Sequence, residues 1–139
     1  MAYWIKVRYE RNEYVVDLDR ISAFACSPSG RITIWLPDSS TPIILNRQSN
    51  LNNYQQVFNY INSLLESSLV SSWARIFYDR CEYIIDLNRL SAFSYSPNKK
   101  LTFWLPDSSL PIIVTPQSDP EGFRKLVTFI EKKTGHSFQ

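Results

Sequence analysis

Hydrophobic and polar residues alternate along much of the chain, beginning with the segment from Tyr3 to Tyr9. One side of this segment is apolar, and the opposite side carries Trp4, Lys6 and Arg8. A period of two residues is typical of a half-buried β-strand. Similar short segments follow, separated by polar turns rich in Asn, Ser, Pro and Gly. We therefore predict four or five antiparallel strands between Tyr3 and Leu45.

The pattern changes to a helical spacing after these strands. From Tyr54 to Leu65, apolar residues recur at intervals of three and four, which places them on one stripe of an amphipathic helix. A second helix is predicted near the C-terminus. There Asp119 is a suitable N-cap, Pro120 takes the first helical position, and Gly135 is expected to end the helix.

The two groups of strands and helix are related by an internal repeat. The segment 31–44 returns as 100–113, and residues 4–65 align with residues 73–134 without a gap. In that alignment 26 of 62 residue pairs are identical, at a constant offset of 69. Self-similarity at a fixed spacing is the signature of a duplicated structural unit. The sequence therefore predicts a tandem duplication.

This duplication predicts one domain over residues 1–139, with a first repeat at 3–66, a linker at 67–72 and a second repeat at 73–134. Each repeat alone is too small to bury much apolar surface, so we expect the two to pack together about a pseudo-twofold axis. The predicted fold class is α+β, a tandem duplication of an antiparallel sheet of four or five strands followed by one helix.

Strands followed by a helix, duplicated in one chain, resemble the fold of the single-stranded-DNA-binding transcriptional regulators, whose tandem-repeat members are the plant Whirly proteins. The chain is also similar to uncharacterised cyanobacterial proteins of that fold, which share a strand beginning with Trp and a turn such as Asp17-Leu18-Asp19. The resemblance covers Trp4 to Lys133. It implies that the helices are exchanged between the repeats. The Lys-Gly-Lys-Ala signature of Whirly proteins is missing, and the nearest basic pair is Lys99-Lys100.

Composition limits the remaining possibilities. The chain has 139 residues, of which 44% are hydrophobic, enough for a packed core. No apolar run reaches the roughly 18 residues that span a bilayer, and no signal peptide is evident, so we expect a cytoplasmic protein without a membrane partner. A net charge of +2 permits a nucleic-acid partner without requiring one.

Few residues are suited to catalysis. The one histidine, His136, lies beyond the last helix, and three glycines cannot form a phosphate-binding loop. Cys26 and Cys81 do not align with each other between the repeats, so free thiols are expected instead of a shared disulfide or metal framework. Asp17 and Asp86 do align, and we interpret them as structural turn residues. We therefore expect no enzyme, no cofactor and no metal.

Aromatic rings beside cations are the remaining candidate site. Bases of single-stranded nucleic acid stack on such rings for roughly 1 to 3 kcal/mol each, while the cations attract phosphates. We consider weak binding of single-stranded DNA or RNA, and alternatively a protein-interaction or scaffolding module, self-association included, in which the tryptophans cover a second hydrophobic layer. A lipid site would need a more concentrated basic loop. The candidate nucleic-acid-binding residues are Trp4, Lys6, Arg8, Arg31, Trp35, Trp73, Arg75, Lys99, Lys100 and Trp104.

Overall fold

The computed structural model of the chain describes residues 2–37, 39, 41–66 and 72–138. Asp38 and Ser40 of the predicted tight loop and most of the predicted linker, residues 67–71, lie outside these ranges. Every pairing among the described strands is antiparallel, which confirms an α+β architecture built on antiparallel sheets. The elements are β1 (Trp4–Tyr9), β2 (Asn12–Asp17), β3 (Ala23–Ser27), β4 (Arg31–Trp35), β5 (Pro42–Asn46), α1 (Leu51–Glu66), β6 (Trp73–Tyr78), β7 (Cys81–Asp86), β8 (Phe93–Tyr95), β9 (Leu101–Trp104), β10 (Pro111–Val114) and α2 (Pro120–Thr134).

The second helix begins and ends at the residues that the sequence predicted. The Asp119 carboxylate accepts a hydrogen bond from the Gly122 backbone N–H, and Pro120 is the first residue of the helix. Gly135 ends it with a φ of 77°, a left-handed conformation that glycine adopts without strain. The same Asp119 carboxylate accepts the Phe77 N–H at 2.9 Å, so the start of α2 is attached to the end of β6.

The strands form three sheets, and the largest joins the two repeats. Its order is β5-β4-β3-β7-β6, whereas β1-β2 and β10-β9-β8 form separate sheets of two and three strands. We call the β3–β7 pairing the joint, since β3 belongs to the first repeat and β7 to the second. Its register places Ala23 opposite Ile85, Phe24 opposite Ile84 and Cys26 opposite Glu82.

The central five-stranded sheet has apolar cores on both faces, because neighbouring residues of a strand point to opposite sides. Phe24 and Ile84 enter the first core, where β1, β2, the turn after β2 and α1 contribute Ile5, Val7, Val16, Leu18, Val57 and Ile61. Ala25 and Ile85 enter the second core, where β9, β10 and α2 contribute Leu101, Phe103, Ile112, Val114, Leu126 and Ile130. The two smaller sheets therefore lie on opposite faces of the central sheet.

The arrangement of the repeats differs from the prediction. Helix α1 contacts β1, β4 and β5 of its own repeat and also β6, and α2 contacts β6 of its own repeat. Exchange of the helices is therefore not confirmed. A pseudo-twofold pair of equal sheets is not confirmed either, because the outer sheets have two and three strands. The two repeats differ in their surroundings because the joint forms once within the described chain, between β3 of the first repeat and β7 of the second.

Candidate nucleic-acid interface

The first predicted site residues, Trp4, Lys6 and Arg8, are exposed on the outer face of β1. Both cations contact the same carboxylate: Lys6 Nζ lies 3.6 Å and Arg8 Nη2 3.2 Å from Glu13 Oε2. The hydrogen bond from Arg8 and then the charge of Lys6 lower the pKa of Glu13. These two cations are therefore partly neutralised within the protein.

The candidates on the central sheet are partly covered. Trp35 is half-buried against the second core, and the half-buried Trp73 packs against Phe24 with 5.9 Å between ring centroids. Arg75 forms an ion pair with Glu82, with 2.9 Å between Nε and Oε2. Arg31 and Arg75 are both exposed, and of this group's two cations only Arg31 takes part in none of the ion pairs among the described residues.

The last three candidates belong to the three-stranded sheet and the turn between β8 and β9. Lys99 and Lys100 are exposed in the turn before β9, and Trp104, at the end of that strand, is 43% exposed. Lys99 has a φ of 64°, so this turn contains a left-handed residue that is not glycine. The ten candidates thus lie on three different sheets and do not form the single face that the alternation suggested.

The four tryptophans lie at one end of the molecule, which we call the tryptophan end. Trp35 and Trp73 lie at the same end of the central sheet, because β4 ends and β6 begins where β3 begins. Trp104 shares a groove with Ser39, and Trp4 shares another with Pro37, so both lie beside the loop that follows Trp35.

The opposite end of the central sheet carries arginines. The register of Cys26 with Glu82 places the turn after β3 beside the turn between β6 and β7, which contains Arg80. Arg31 begins β4 at this end, and the Arg47 N–H donates to the Gly30 carbonyl at 2.9 Å. Arg31, Arg47 and Arg80 therefore lie at one end and are exposed.

Lys99 and Lys100 lie at that same end. The bond between Asp119 and the Phe77 N–H holds the segment after β10 beside the end of β6. Because Leu101 pairs with Val114, the start of β9 lies next to that segment. None of the ion pairs among the described residues includes a cation of this group. We call it the basic end, and it consists of Arg31, Arg47, Arg80, Lys99 and Lys100.

Sequence reasoning missed Arg47 and Arg80 because it selected cations on strand faces next to tryptophans. The better signal was position in turns: Arg80 follows β6 in a two-residue turn and Arg47 follows β5. The free thiols of Cys26 and Cys81 belong to neither end group, and burial raises the pKa of Cys26 to about 11. Neither described helix is long and apolar enough to cross a membrane.

Comparison with known proteins identifies a similar fold. No family model matches the chain, and no curated protein does. A solved structure does match, the LytTr DNA-binding domain of a putative methyl-accepting/DNA response regulator from Bacillus cereus, at 17% sequence identity and a TM-score of 0.52. The match covers 91% of this chain and 97% of that chain. The expected Whirly-like fold is therefore wrong. The resemblance was based on strands followed by a helix, which this chain shares with Whirly proteins. The pairing of β3 with β7 across the repeats was not evident from the sequence.

Proposed function

We propose that this protein binds nucleic acid without catalysing a reaction, and that the basic end contacts the phosphate backbone. The observation that carries the proposal is the set of five exposed cations at one end of the molecule, which take no part in the ion pairs among the described residues. The similarity in fold to a LytTr DNA-binding domain supports it. Cations that are not neutralised within the protein are available to replace the counterions of nucleic acid.

The distance between Trp35 and the cations of the basic end favours duplex DNA over single strands as the ligand. Arg31 and Trp35 lie at opposite ends of β4, four residues and therefore about 13 Å apart. A single strand that stacks a base on Trp35 would contact Arg31 only through a neighbouring nucleotide. A duplex backbone needs cations alone, and these are present together at the basic end.

The test is a titration with two labelled oligonucleotides of mixed sequence, one single-stranded and one duplex, at several salt concentrations. Fluorescence anisotropy measures the binding. The double variant Arg47→Ala, Arg80→Ala should bind the duplex about tenfold more weakly and with a salt slope reduced by about two, because each lost phosphate contact removes about one. The matched control is Lys6→Ala, Arg8→Ala, which removes two exposed cations that already contact Glu13. Absence of binding to either oligonucleotide, or an equal loss in the control, would overturn the proposal.

The alternative is that the protein binds single-stranded nucleic acid, with bases stacked on Trp35 and Trp104 and phosphates contacting Arg31 and Lys100. This alternative predicts tighter binding to the single strand than to the duplex, with quenching of tryptophan fluorescence. It also predicts that Trp104→Ala lowers affinity while the salt slope is kept. If the duplex binds better and Trp104→Ala has no effect, the alternative is excluded.

A protein-interaction module is the second candidate function. The observation that favours it is exposed aromatic surface at the tryptophan end, where Trp4 is 62% and Trp104 43% exposed. Large apolar side chains that remain in water are typical of surfaces that a partner covers.

A further inference from the structure

Two strand edges of the described sheets have no neighbouring strand although their counterparts in the other repeat do. Strand β7 pairs with β3 in the joint. Their equivalents 69 residues away are β2 and β8, and each of these is the outermost strand of its sheet in the part of the chain that the structure describes. The described chain therefore forms one joint, and the edges of β2 and β8 are equivalent to the two edges that pair in it.

The backbone groups at these two edges point outward. The Leu18 N–H donates to the Tyr3 carbonyl, and hydrogen-bonded pairs alternate along an antiparallel ladder, so the N–H and C=O of Val15 point away from β1. By the same alternation, the bond from the Ser96 N–H to the Lys100 carbonyl turns the groups of Phe93 and Tyr95 away from β9. Both edges therefore present donors and acceptors that no strand of the described residues pairs with.

The two edges cannot pair within one chain. The sheet of β1 and β2 covers the first core, and the sheet of β8, β9 and β10 covers the second core on the other face of the central sheet. Packed sheets lie about 10 Å apart, so two layers separate the edges by about 20 Å. Hydrogen bonds need about 3 Å, and a second molecule is therefore required to complete the pairing.

Residues buried by the joint have exposed equivalents at the free edges. Ile84 of β7 is fully buried in the first core, whereas its equivalent Val15 is 65% exposed. Ala23 is 2% exposed on β3, and its equivalent Ala92 is exposed. The free edges therefore carry the apolar residues that the joint uses, without the partner that covers them.

The tryptophans also differ in exposure between the joint and the free edges. Trp73 reaches across the joint to Phe24, and its equivalent Trp4 is among the most exposed apolar side chains of the described residues. Trp35 packs across the joint against the second core, and its equivalent Trp104 is 43% exposed. Within the part of the chain that the structure describes, both exposed tryptophans thus lack a contact that their equivalents make.

An apolar groove lies beside the edge of β8. Its volume is about 360 Å³, and its lining includes Phe93, Phe129, Ile130 and Phe138. Phe129 and Ile130 are the equivalents of Tyr60 and Ile61, which pack in the first core together with Ile84. The groove therefore occupies the position at which Val15 of another molecule would enter, as Ile84 enters the first core.

We propose that the chain associates with a second copy of itself, head to tail, by pairing β2 of one molecule with β8 of the next. The register copies the joint: Val15 lies opposite Phe93, Val16 opposite Ala92 and Tyr14 opposite Ser94. No like charges face each other in these pairs. The product is a five-stranded sheet in the order β1-β2-β8-β9-β10, shared by two molecules. Because the two edges differ, the contact is heterologous and generates rings or open arrays.

The test is sedimentation of the full chain from about 1 μM to about 1 mM, without nucleic acid. The wild-type average mass should rise with concentration. Val15→Lys and Ala92→Lys, both at exposed positions, should each weaken association at least about tenfold, because a lysine at either edge opposes strand pairing. The matched control is Ile44→Lys, which places the same charge at an exposed apolar position on the outer strand of the central sheet and should associate like the wild type.

Mixing the two edge variants provides the decisive readout. Each variant retains one intact edge, so a mixture of Val15→Lys and Ala92→Lys should form a 1:1 dimer that does not grow further. Thermal unfolding of each variant alone verifies that both are folded. The proposal is overturned if the wild type stays monomeric, if both variants associate like the control, or if the mixture remains monomeric. Loss of association in only one variant would indicate a twofold contact through that edge and would also overturn the pairing.

Discussion

Phe24 and Phe93 occupy equivalent positions in the two repeats, and their surroundings differ. Phe24 is fully buried in the first core, in contact with Trp73 from the other repeat, whereas Phe93 is half-buried beside a strand edge. Residues 22–24 have the same sequence, Ser-Ala-Phe, as residues 91–93. The difference therefore comes from the joint, which forms on one of the two equivalent edges. Burial in a duplicated chain depends on which repeat supplies the neighbouring strand.

The largest expected difference between the repeats is in the cost of truncating these two rings. Phe24→Ala should lower the free energy of unfolding by about 3 to 5 kcal/mol, because it leaves a cavity in a closed core. Phe93→Ala should cost about half as much, since part of that ring is already in contact with water. Urea unfolding of both variants at micromolar concentration measures the two values. Equal costs would contradict the difference in packing.

A smaller difference is expected at alkaline pH. Tyr60 of α1 donates a hydrogen bond to the Asp19 carboxylate, and burial followed by this bond raises its pKa above the ordinary value. The equivalent residue in α2 is Phe129, which cannot titrate. Because the folded state holds the proton more tightly, this contribution to stability is present below about pH 10 and is lost as the pH rises above it.

The variant Tyr60→Phe gives the first repeat the side chain of the second. It should lose less stability than the wild type between pH 8 and pH 11, as measured by urea unfolding at both values. Tyr83, whose pKa is also raised, is present in both proteins and serves as an internal control. An equal loss in the two proteins would contradict the role of the Tyr60 hydroxyl.

Local signals predicted the elements of this fold well. Alternation identified the strands, and Asp119, Pro120 and Gly135 defined the second helix, because capping depends on residues within one turn of the helix end. The pairing of strands could not be read in the same way. Both β2 and β7 carry a tyrosine followed by two β-branched residues, and neither segment indicates that, among the described strands, β7 has two neighbours and β2 has one.

The candidate site was predicted in part. Lys99, Lys100 and Arg31 are exposed at the basic end, as cations of a binding surface should be. Lys6, Arg8 and Arg75 were also selected, but Glu13 and Glu82 contact them from the neighbouring strands. Cross-strand ion pairs depend on register, and register depends on turns whose geometry the alternation does not fix. Arg31 and Trp35 were expected together because they share a strand face, yet they lie at opposite ends of β4.

Backbone hydrogen exchange at Ile84 and Val15 tests most directly whether the joint forms at only one of the two equivalent edges. In dilute protein, the Ile84 amide should exchange only through global unfolding, because it is paired with β3 in the centre of the largest sheet. The Val15 amide points outward from β2 and should exchange orders of magnitude faster. Raising the protein concentration should slow exchange at Val15 and leave Ile84 unchanged. Equal protection of the two amides in dilute protein would contradict the account.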